Sequence, residues 1–74
     1  IRLEVPLSGR YRLEVFDLQG RKISTISDQE IEAGEYYVDW YGDDSNGAPV
    51  QNGIYIVNLS GEGLRCKTRV IFIR

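Results

Sequence analysis

Apolar and polar residues alternate with a period of two along most of the chain, and glycine-containing turns interrupt the alternation. Because successive side chains of an extended backbone point to opposite faces, this period predicts half-buried β-strands. The spacing of three and four residues that an amphipathic helix requires is sustained nowhere. The positions predicted to face inward are Ile1, Leu3 and Val5; Tyr11, Leu13 and Val15; Tyr36, Val38 and Trp40; and Tyr55, Val57 and Leu59. The pattern predicts an all-β chain with Trp40 in its core.

Turn residues separate these strands. Residues 6–9 lie between the first two strands, which are predicted to pair as a hairpin, and residues 60–63 form a second hairpin turn. Residues 42–49 carry the densest turn chemistry, because Asn and Gly tolerate positive φ and Pro presets a bend. In another turn, we expect Asp17 to accept hydrogen bonds from turn amides and Gly20 to adopt a left-handed conformation.

The remaining segments follow the alternation less closely. Ile23 and Ile26 mark a third strand, and their spacing of three predicts a bulge. Residues 28–34 are too short for a stable helix and are predicted to form a loop. Residues 64–74 alternate again and end in an apolar stretch. Six short strands with frequent turns predict an antiparallel sandwich, in which two sheets enclose one core.

The composition indicates one small folded domain over residues 1–74. Hydrophobic residues make up 42% and charged residues 27% of the chain, which are ordinary values for globular proteins. A net charge of −2 and a pI near 5.0 provide no long-range attraction for nucleic acid or anionic membranes. No apolar run approaches the length that spans a bilayer. We therefore expect neither nucleic-acid binding nor membrane insertion.

Few side chains in this sequence are suited to catalysis. The chain has no histidine and a single cysteine, so a cysteine nucleophile would lack its usual base and no internal disulfide can form. Cys66 is predicted to be a small buried apolar group and not an intermolecular disulfide or a reactive thiol. Carboxylates remain, but a compact sandwich of this size offers no cleft in which two of them would be opposed. We expect no enzyme activity and no cofactor.

Oxygen-bearing side chains cluster at the corner after Trp40. Asp43, Asp44 and Asn46 are weak candidates for calcium ligands, because calcium is held by several oxygen atoms in a loop. Their spacing does not fit the twelve-residue, helix-flanked calcium loop, since Gly47 falls at the wrong offset. The alternative interpretation is that these side chains accept hydrogen bonds from backbone amides and stabilise the corner.

Outward aromatic and aliphatic residues supply candidate contact surfaces. Tyr37 and Tyr41 share a strand face, where exposed rings can stack on sugars; alternatively they pair across strands or cover a neighbouring domain. Four isoleucines face outward if Tyr55 faces inward, and they form either an exposed contact patch or the core of a second sheet. These are Ile54, Ile56, Ile71 and Ile73.

A row of basic residues, Arg65, Lys67 and Arg69, lies on one face of the last predicted strand. Such a row can meet an acidic partner. Glutamates interspersed elsewhere in the chain favour the alternative of an ordinary solvated surface.

Several short blocks, in this order and spacing, resemble a known family. They are Phe16-Asp17-Leu18-Gln19-Gly20-Arg21-Lys22; Ala33-Gly34-Glu35-Tyr36; Trp40, Gly42, Asp44 and Gly47; Gly53-Ile54-Tyr55; and the ending from Lys67 to Arg74. The blocks are similar to the immunoglobulin-like domain shared by the bacterial flagellar hook-capping protein and the C-terminal sorting domain of the type IX secretion system. The resemblance implies an Ig-like antiparallel β-sandwich of about six or seven short strands. It also implies a further strand upstream of Ile1, which we expect to bury part of the isoleucine surface.

The resemblance further implies a non-catalytic accessory domain near the C-terminus of a larger secreted or cell-surface bacterial protein. In the sorting-domain branch the folded domain is a secretion or anchoring signal, reaches the surface via the periplasm, and is recognised by export machinery. Lys67, Arg69 and Arg74 are the recognition candidates. In the hook-capping branch the domain is a structural interaction module, which contacts a neighbouring domain or forms a dimer of its own copies. A carbohydrate-binding module that uses Tyr37 and Tyr41 is the third interpretation.

Overall fold

The computed structural model describes residues 1–73, and every regular element in that range is a β-strand. The strands are β1 (Arg2–Val5), β2 (Gly9–Phe16), β3 (Lys22–Ile31), β4 (Gly34–Tyr37), β5 (Gly53–Gly61) and β6 (Leu64–Phe72). All pairings are antiparallel. One sheet has the order β1-β4 and the other the order β3-β2-β5-β6. This architecture confirms the predicted all-β antiparallel sandwich.

The core lies between the inward faces of the two sheets. Its buried residues are Leu3, Val5, Tyr11, Leu13, Val15, Tyr55, Val57 and Leu59, all at positions that the period of two predicts to face inward. Full burial of an aliphatic side chain of this size stabilises the fold by about 1.5–3 kcal/mol. Trp40 is half-buried and packs against the edge of this core. The centre of its ring lies 5.1 Å from that of Tyr55 and 5.5 Å from that of Phe72.

The predicted hairpin of the first two strands is wrong. β1 pairs with β4, where Arg2 lies opposite Tyr37 and Val5 opposite Gly34, whereas β2 lies between β3 and β5. Residues 6–8 therefore carry the chain from one sheet to the other. Pro6 favours this crossing, because it has no N–H to donate to a continuing ladder. The crossing also places the apolar face of β1 over the core and not beside β2.

The third strand is longer than predicted, and it contains the expected bulge. β3 extends to Ile31, so the prediction of a loop over residues 28–34 is wrong for its first half. Residues 28–31 of β3 pair with the first half of β2, and Arg10 forms an ion pair with Asp28 at 3.1 Å. The two register shifts leave Ile26 and Ile23 as the extra residues, and both pack against the core. The bulges thus bring two isoleucines three positions apart to the same face.

Three tyrosines connect the loops to the strands that follow them. Tyr11, Tyr36 and Tyr55 are each the third residue of a strand whose first residue is glycine. Each hydroxyl donates a hydrogen bond of 2.6 Å to the backbone carbonyl four residues earlier, at Leu7, Glu32 and Gln51 respectively. The ring contributes to the core while the hydroxyl satisfies a loop carbonyl, as in the tyrosine corner of Ig-type sandwiches.

The turn between β2 and β3 confirms the role expected of Asp17. Its Oδ1 accepts hydrogen bonds from the backbone N–H groups of Gln19 and Arg21, both at 2.9 Å, and its Oδ2 accepts one from Arg21 Nε at 2.8 Å. These bonds, led by the Arg21 backbone amide, hold the pKa of Asp17 below its ordinary value of 3.8. Gly20 adopts the expected left-handed conformation, with φ of 88°.

We predict that Tyr55→Phe lowers the free energy of unfolding by about 1 kcal/mol, because the Gln51 carbonyl loses its donor while the ring stays in place. Urea denaturation with an unchanged m-value measures this cost. The matched control is Tyr37→Phe, whose hydroxyl donates to the exposed Glu35 carboxylate. Its expected effect is within about 0.5 kcal/mol. Equal effects of the two variants would show that the hydroxyl-to-carbonyl bond does not stabilise the fold.

We predict that Asp17→Asn destabilises the chain at neutral pH and that the difference from wild type shrinks in acid. Since the folded-state pKa of Asp17 is depressed, its stabilising contribution is complete above the unfolded value near 3.8. The contribution is lost as the pH falls through the lower folded-state pKa. Thermal unfolding between pH 7 and pH 2 tests this, with Asp43→Asn as the control because the Asp43 side chain accepts no hydrogen bond within residues 1–73. A constant difference across the pH range would contradict the prediction.

Candidate functional site

The outward face of the four-stranded sheet, called here the outer face, collects most of the residues predicted for recognition. On β5 and β6 the opposed pairs of this face are Ile54 with Ile71, Ile56 with Arg69, Asn58 with Lys67, and Ser60 with Arg65. On β2, Phe16, Glu14 and Arg12 lie opposite Ile56, Asn58 and Ser60. Opposed residues on one face are direct neighbours. The outer face therefore runs from an apolar end to a basic end.

The apolar end is an exposed isoleucine patch made of Ile54, Ile71 and Ile73. Ile71 is 70% exposed and Ile73 is 75% exposed, and Ile54 lies directly opposite Ile71. Ile56, the fourth isoleucine predicted to face outward, is half-buried. Of the two interpretations that the sequence allows, the structure shows an exposed patch and not the core of a second sheet.

The basic row of β6 is the second feature of the outer face. Arg65, Lys67 and Arg69 are exposed, and none of them forms an ion pair within the part of the chain that the structure describes. Three acidic residues near this face are each paired with another cation. These pairs are Glu14 with Lys22 at 3.6 Å, Asp28 with Arg10 at 3.1 Å, and Asp17 with Arg21 at 2.8 Å. The row is thus uncompensated positive charge on a chain whose net charge is −2. The other recognition candidate, Arg74, lies outside the described residues.

Between the two ends the outer face contains a hollow of about 540 Å³. We call it the Asn58 hollow and define it by Glu14, Asn58, Arg65, Lys67, Phe16 and Leu18. Glu14 is only 7% exposed and Asn58 only 9%, although both lie on an outward face. The Oδ1 atom of Asn58 is buried and accepts no hydrogen bond from residues 1–73. Leaving a buried acceptor without a donor costs about 1–3 kcal/mol, so this residue lowers stability.

Sequence reasoning missed the Asn58 hollow for a physical reason. Alternation predicts that polar residues opposite a buried face are solvated, and Glu14 and Asn58 follow that alternation. Both lie on the central strands β2 and β5, and only the register shows which residues flank them, such as Lys67 opposite Asn58. The available sequence signal was an uncharged Asn between the buried Val57 and Leu59, which is a residue poorly suited to a strand.

At the corner after Trp40, the Asp44 carboxylate and the Asp43 carbonyl accept hydrogen bonds from the corner itself. Asp44 Oδ1 accepts hydrogen bonds from the N–H groups of Asn46 and Ala48, both at 2.9 Å. The Asp43 carbonyl accepts one from Trp40 Nε1 at 3.1 Å. This arrangement supports the turn-stabilising interpretation of the corner. Within residues 1–73, no group of three or more acidic, histidine or cysteine side chains is arranged to hold a metal ion.

The predicted carbohydrate-facing tyrosines lie away from the outer face. Tyr37 belongs to β4 of the two-stranded sheet, Tyr41 follows it, and both are 76% exposed. Tyr37 donates a 2.8 Å hydrogen bond to Glu35. Glu35 also accepts one from Arg2 at 2.9 Å, and this bond is the main cause of a lowered pKa for Glu35 and a raised pKa for Arg2. The carbohydrate interpretation stays a prediction.

The prediction that Cys66 is buried is wrong. Cys66 lies opposite the buried Leu59 and faces the inner side of its sheet, yet it is exposed. Thr68, opposite the buried Val57, is exposed as well. The reason is the difference in sheet width, because two strands cannot cover the inner face of four. A groove of about 470 Å³, lined in part by Val5, Leu64 and Cys66, lies at this uncovered margin.

The structure contains, within residues 1–73, no helix of a length and hydrophobicity that would cross a membrane.

Comparison with known proteins identifies one family. The model of the FlgD Ig-like domain matches residues 6–63, a segment that contains β2, β3, β4 and β5 and more than half of the chain. No curated protein and no solved structure matches. The match supports the hook-capping side of the predicted resemblance and does not extend to the sorting domain of the type IX secretion system. This family is one of structural, non-catalytic modules. The chain belongs to the FlgD Ig-like domain family.

Proposed function

We propose that this chain is a non-catalytic accessory module that binds another protein through the outer face of its four-stranded sheet. The observation that carries the proposal is the exposed isoleucine patch. Its Ile71 is the next outward residue after Arg69 on β6, and Arg69 forms no ion pair within residues 1–73. Contiguous exposed apolar side chains with polar groups around them are typical of protein contact surfaces. The FlgD Ig-like family supports the same class of function.

The proposed partner is a neighbouring domain of the parent protein or a second copy of this chain. Both would bury the isoleucine patch and leave the basic row at the rim of the contact. Apolar side chains at the centre and charged ones around them are the usual arrangement of such contacts, with the centre supplying most of the affinity. We place the parent protein outside the cytoplasm, as a secreted or cell-surface bacterial protein.

We predict that a photo-crosslinking amino acid at Ile71 of the full-length parent protein forms a covalent link to protein. The same amino acid at Leu7, which is also apolar and exposed but lies in the turn before β2, is expected to form none. Mass spectrometry of the crosslinked product identifies whether the partner is another domain or another copy. Crosslinking from Leu7 and not from Ile71 would overturn the proposed surface.

A second and finer proposal is that the domain acts as a secretion signal, and the uncompensated charge of the basic row favours it. Recognition by export machinery would then fall on Lys67 and Arg69, which are exposed on the edge strand β6, and on Arg74. An edge strand with a free backbone can also pair with a strand of the receptor.

We predict that a periplasmic reporter fused to this domain and its upstream residues leaves the cell in a host with type IX secretion. The variant Lys67→Glu/Arg69→Glu is expected to stay in the periplasm while its circular dichroism spectrum is unchanged. Arg2→Gln on the two-stranded sheet removes an exposed charge outside the basic row and is expected to be exported. Retention of the unsubstituted fusion in the periplasm would refute the secretion proposal and leave the interaction proposal intact.

A further inference from the structure

We propose that the Asn58 hollow binds a short, extended, acidic segment of a partner polypeptide, an inference that rests on the proposed interaction function. The hollow lies in the middle of the outer face and does not include the isoleucine patch. Its three kinds of lining group, a buried acceptor, free cations and apolar side chains, each specify one property of the occupant.

The buried acceptor specifies an N–H donor. Asn58 Oδ1 is closed to solvent and accepts no hydrogen bond from the described part of the chain. Folded proteins rarely retain such an arrangement without a reason. Lys67 lies directly opposite Asn58, and its side chain is long and flexible. When an occupant draws Lys67 aside, a backbone N–H of that occupant can reach the amide oxygen.

The free cations specify carboxylates. Arg65 and Lys67 line the hollow and form no ion pair within residues 1–73. Glu14, which also lines the hollow, forms an ion pair with Lys22 at 3.6 Å. Arg12, across Ser60 from Arg65, lies 3.8 Å from the carboxylate of Asp28. Asp17, which also lines the hollow, is paired with Arg21 at 2.8 Å. The charge that the hollow offers to an occupant is therefore positive, and hydrogen bonds from cations to carboxylates are the strong ones.

The apolar side chains specify an amphipathic occupant. Phe16, Leu18 and Ile56 line the opposite part of the hollow, and Leu18 is 64% exposed. An inorganic anion would leave these side chains in water. An extended peptide presents side chains on one face at steps of about 6.4–6.8 Å, which is also the spacing of Ile56, Asn58 and Ser60 along β5. A peptide with an apolar residue followed by acidic residues at alternate positions matches the hollow in charge, polarity and spacing.

The probe is the blocked peptide acetyl-Leu-Ser-Glu-Ser-Glu-amide, titrated into the ¹⁵N-labelled 74-residue chain. Its control has the two glutamates replaced by lysines. We expect saturable chemical-shift changes at amides of β2, β5 and β6 around Glu14, Asn58 and Lys67 with the acidic peptide, and none with the basic one. Binding of the basic peptide with equal affinity, changes confined to β1 and β4, or no change at millimolar peptide would each overturn the inference.

The variant Asn58→Leu separates a binding role from a structural one. It removes a buried acceptor that has no donor, so we expect an equal or higher Tm together with about tenfold weaker peptide binding. A lower Tm with unchanged binding would show that Asn58 serves the fold alone. Lys67→Ala is expected to weaken binding by a similar factor, whereas Arg2→Ala, on the other sheet, leaves it unchanged. Equal effects of these two variants would overturn the assignment of the cations.

Two further measurements complete the test. One distinguishes a peptide from a sugar as the occupant, and the other distinguishes failure of this inference from failure of the proposed function. An oligosaccharide of uronic acids carries carboxylates and hydroxyl donors but no peptide backbone, and tighter binding of this probe would overturn the peptide assignment.

Crosslinking from Ile71 reports on the proposed function without involving the hollow. If Ile71 crosslinks to protein and the acidic peptide does not bind, the inference about the hollow fails and the proposed function stands. If neither occurs, both fail.

Discussion

The hydrogen bond from a tyrosine hydroxyl to the carbonyl four residues earlier recurs at the start of β2, β4 and β5. It fixes which residue of each strand points inward, because the ring must enter the core while the hydroxyl reaches back to the loop. A slip of one residue would turn every side chain of the strand to the other face. In a domain with so small a core, the tyrosines of β2 and β5 thereby decide what the outer face displays.

The two halves of the outer face follow from that fixed alternation and from the pairing order. β6 is an edge strand whose outward residues are cationic over most of its length and apolar at its end. Glu14 of β2 and Asp28 of β3 are each paired with another cation. The outer face therefore presents cations that form no ion pair within residues 1–73 and isoleucines that no part of this range covers. The Asn58 Oδ1 atom, buried without a donor from residues 1–73, lowers the stability of the fold. Together these features are consistent with a surface completed by another polypeptide.

Local chemistry was predictable from the sequence, and long-range geometry was not. The inward residues of β2 and β5, the bulge at Ile23 and Ile26, and the turn at Asp17 depend on neighbours in the chain, so alternation and turn chemistry were sufficient. The partner of β1 depends on which sheet the chain enters after Pro6. The exposure of Cys66 depends on the unequal width of the two sheets, and the burial of Asn58 depends on its cross-strand neighbours. Such information resides in the assembled sheets and not in any single segment.

The passage of the chain from one sheet to the other after β1 has a consequence for the order in which the fold assembles. The β2–β3 and β5–β6 hairpins join neighbouring segments, and such contacts form early because their loops are short. The β2–β5 and β1–β4 ladders join distant segments and must close long loops first. We expect two preformed hairpins to dock along β2 and β5, and β1 to close over them last. Until β1 arrives, the inner face of the central strands is open to solvent, so the slowest step of folding is also the one that hides the core.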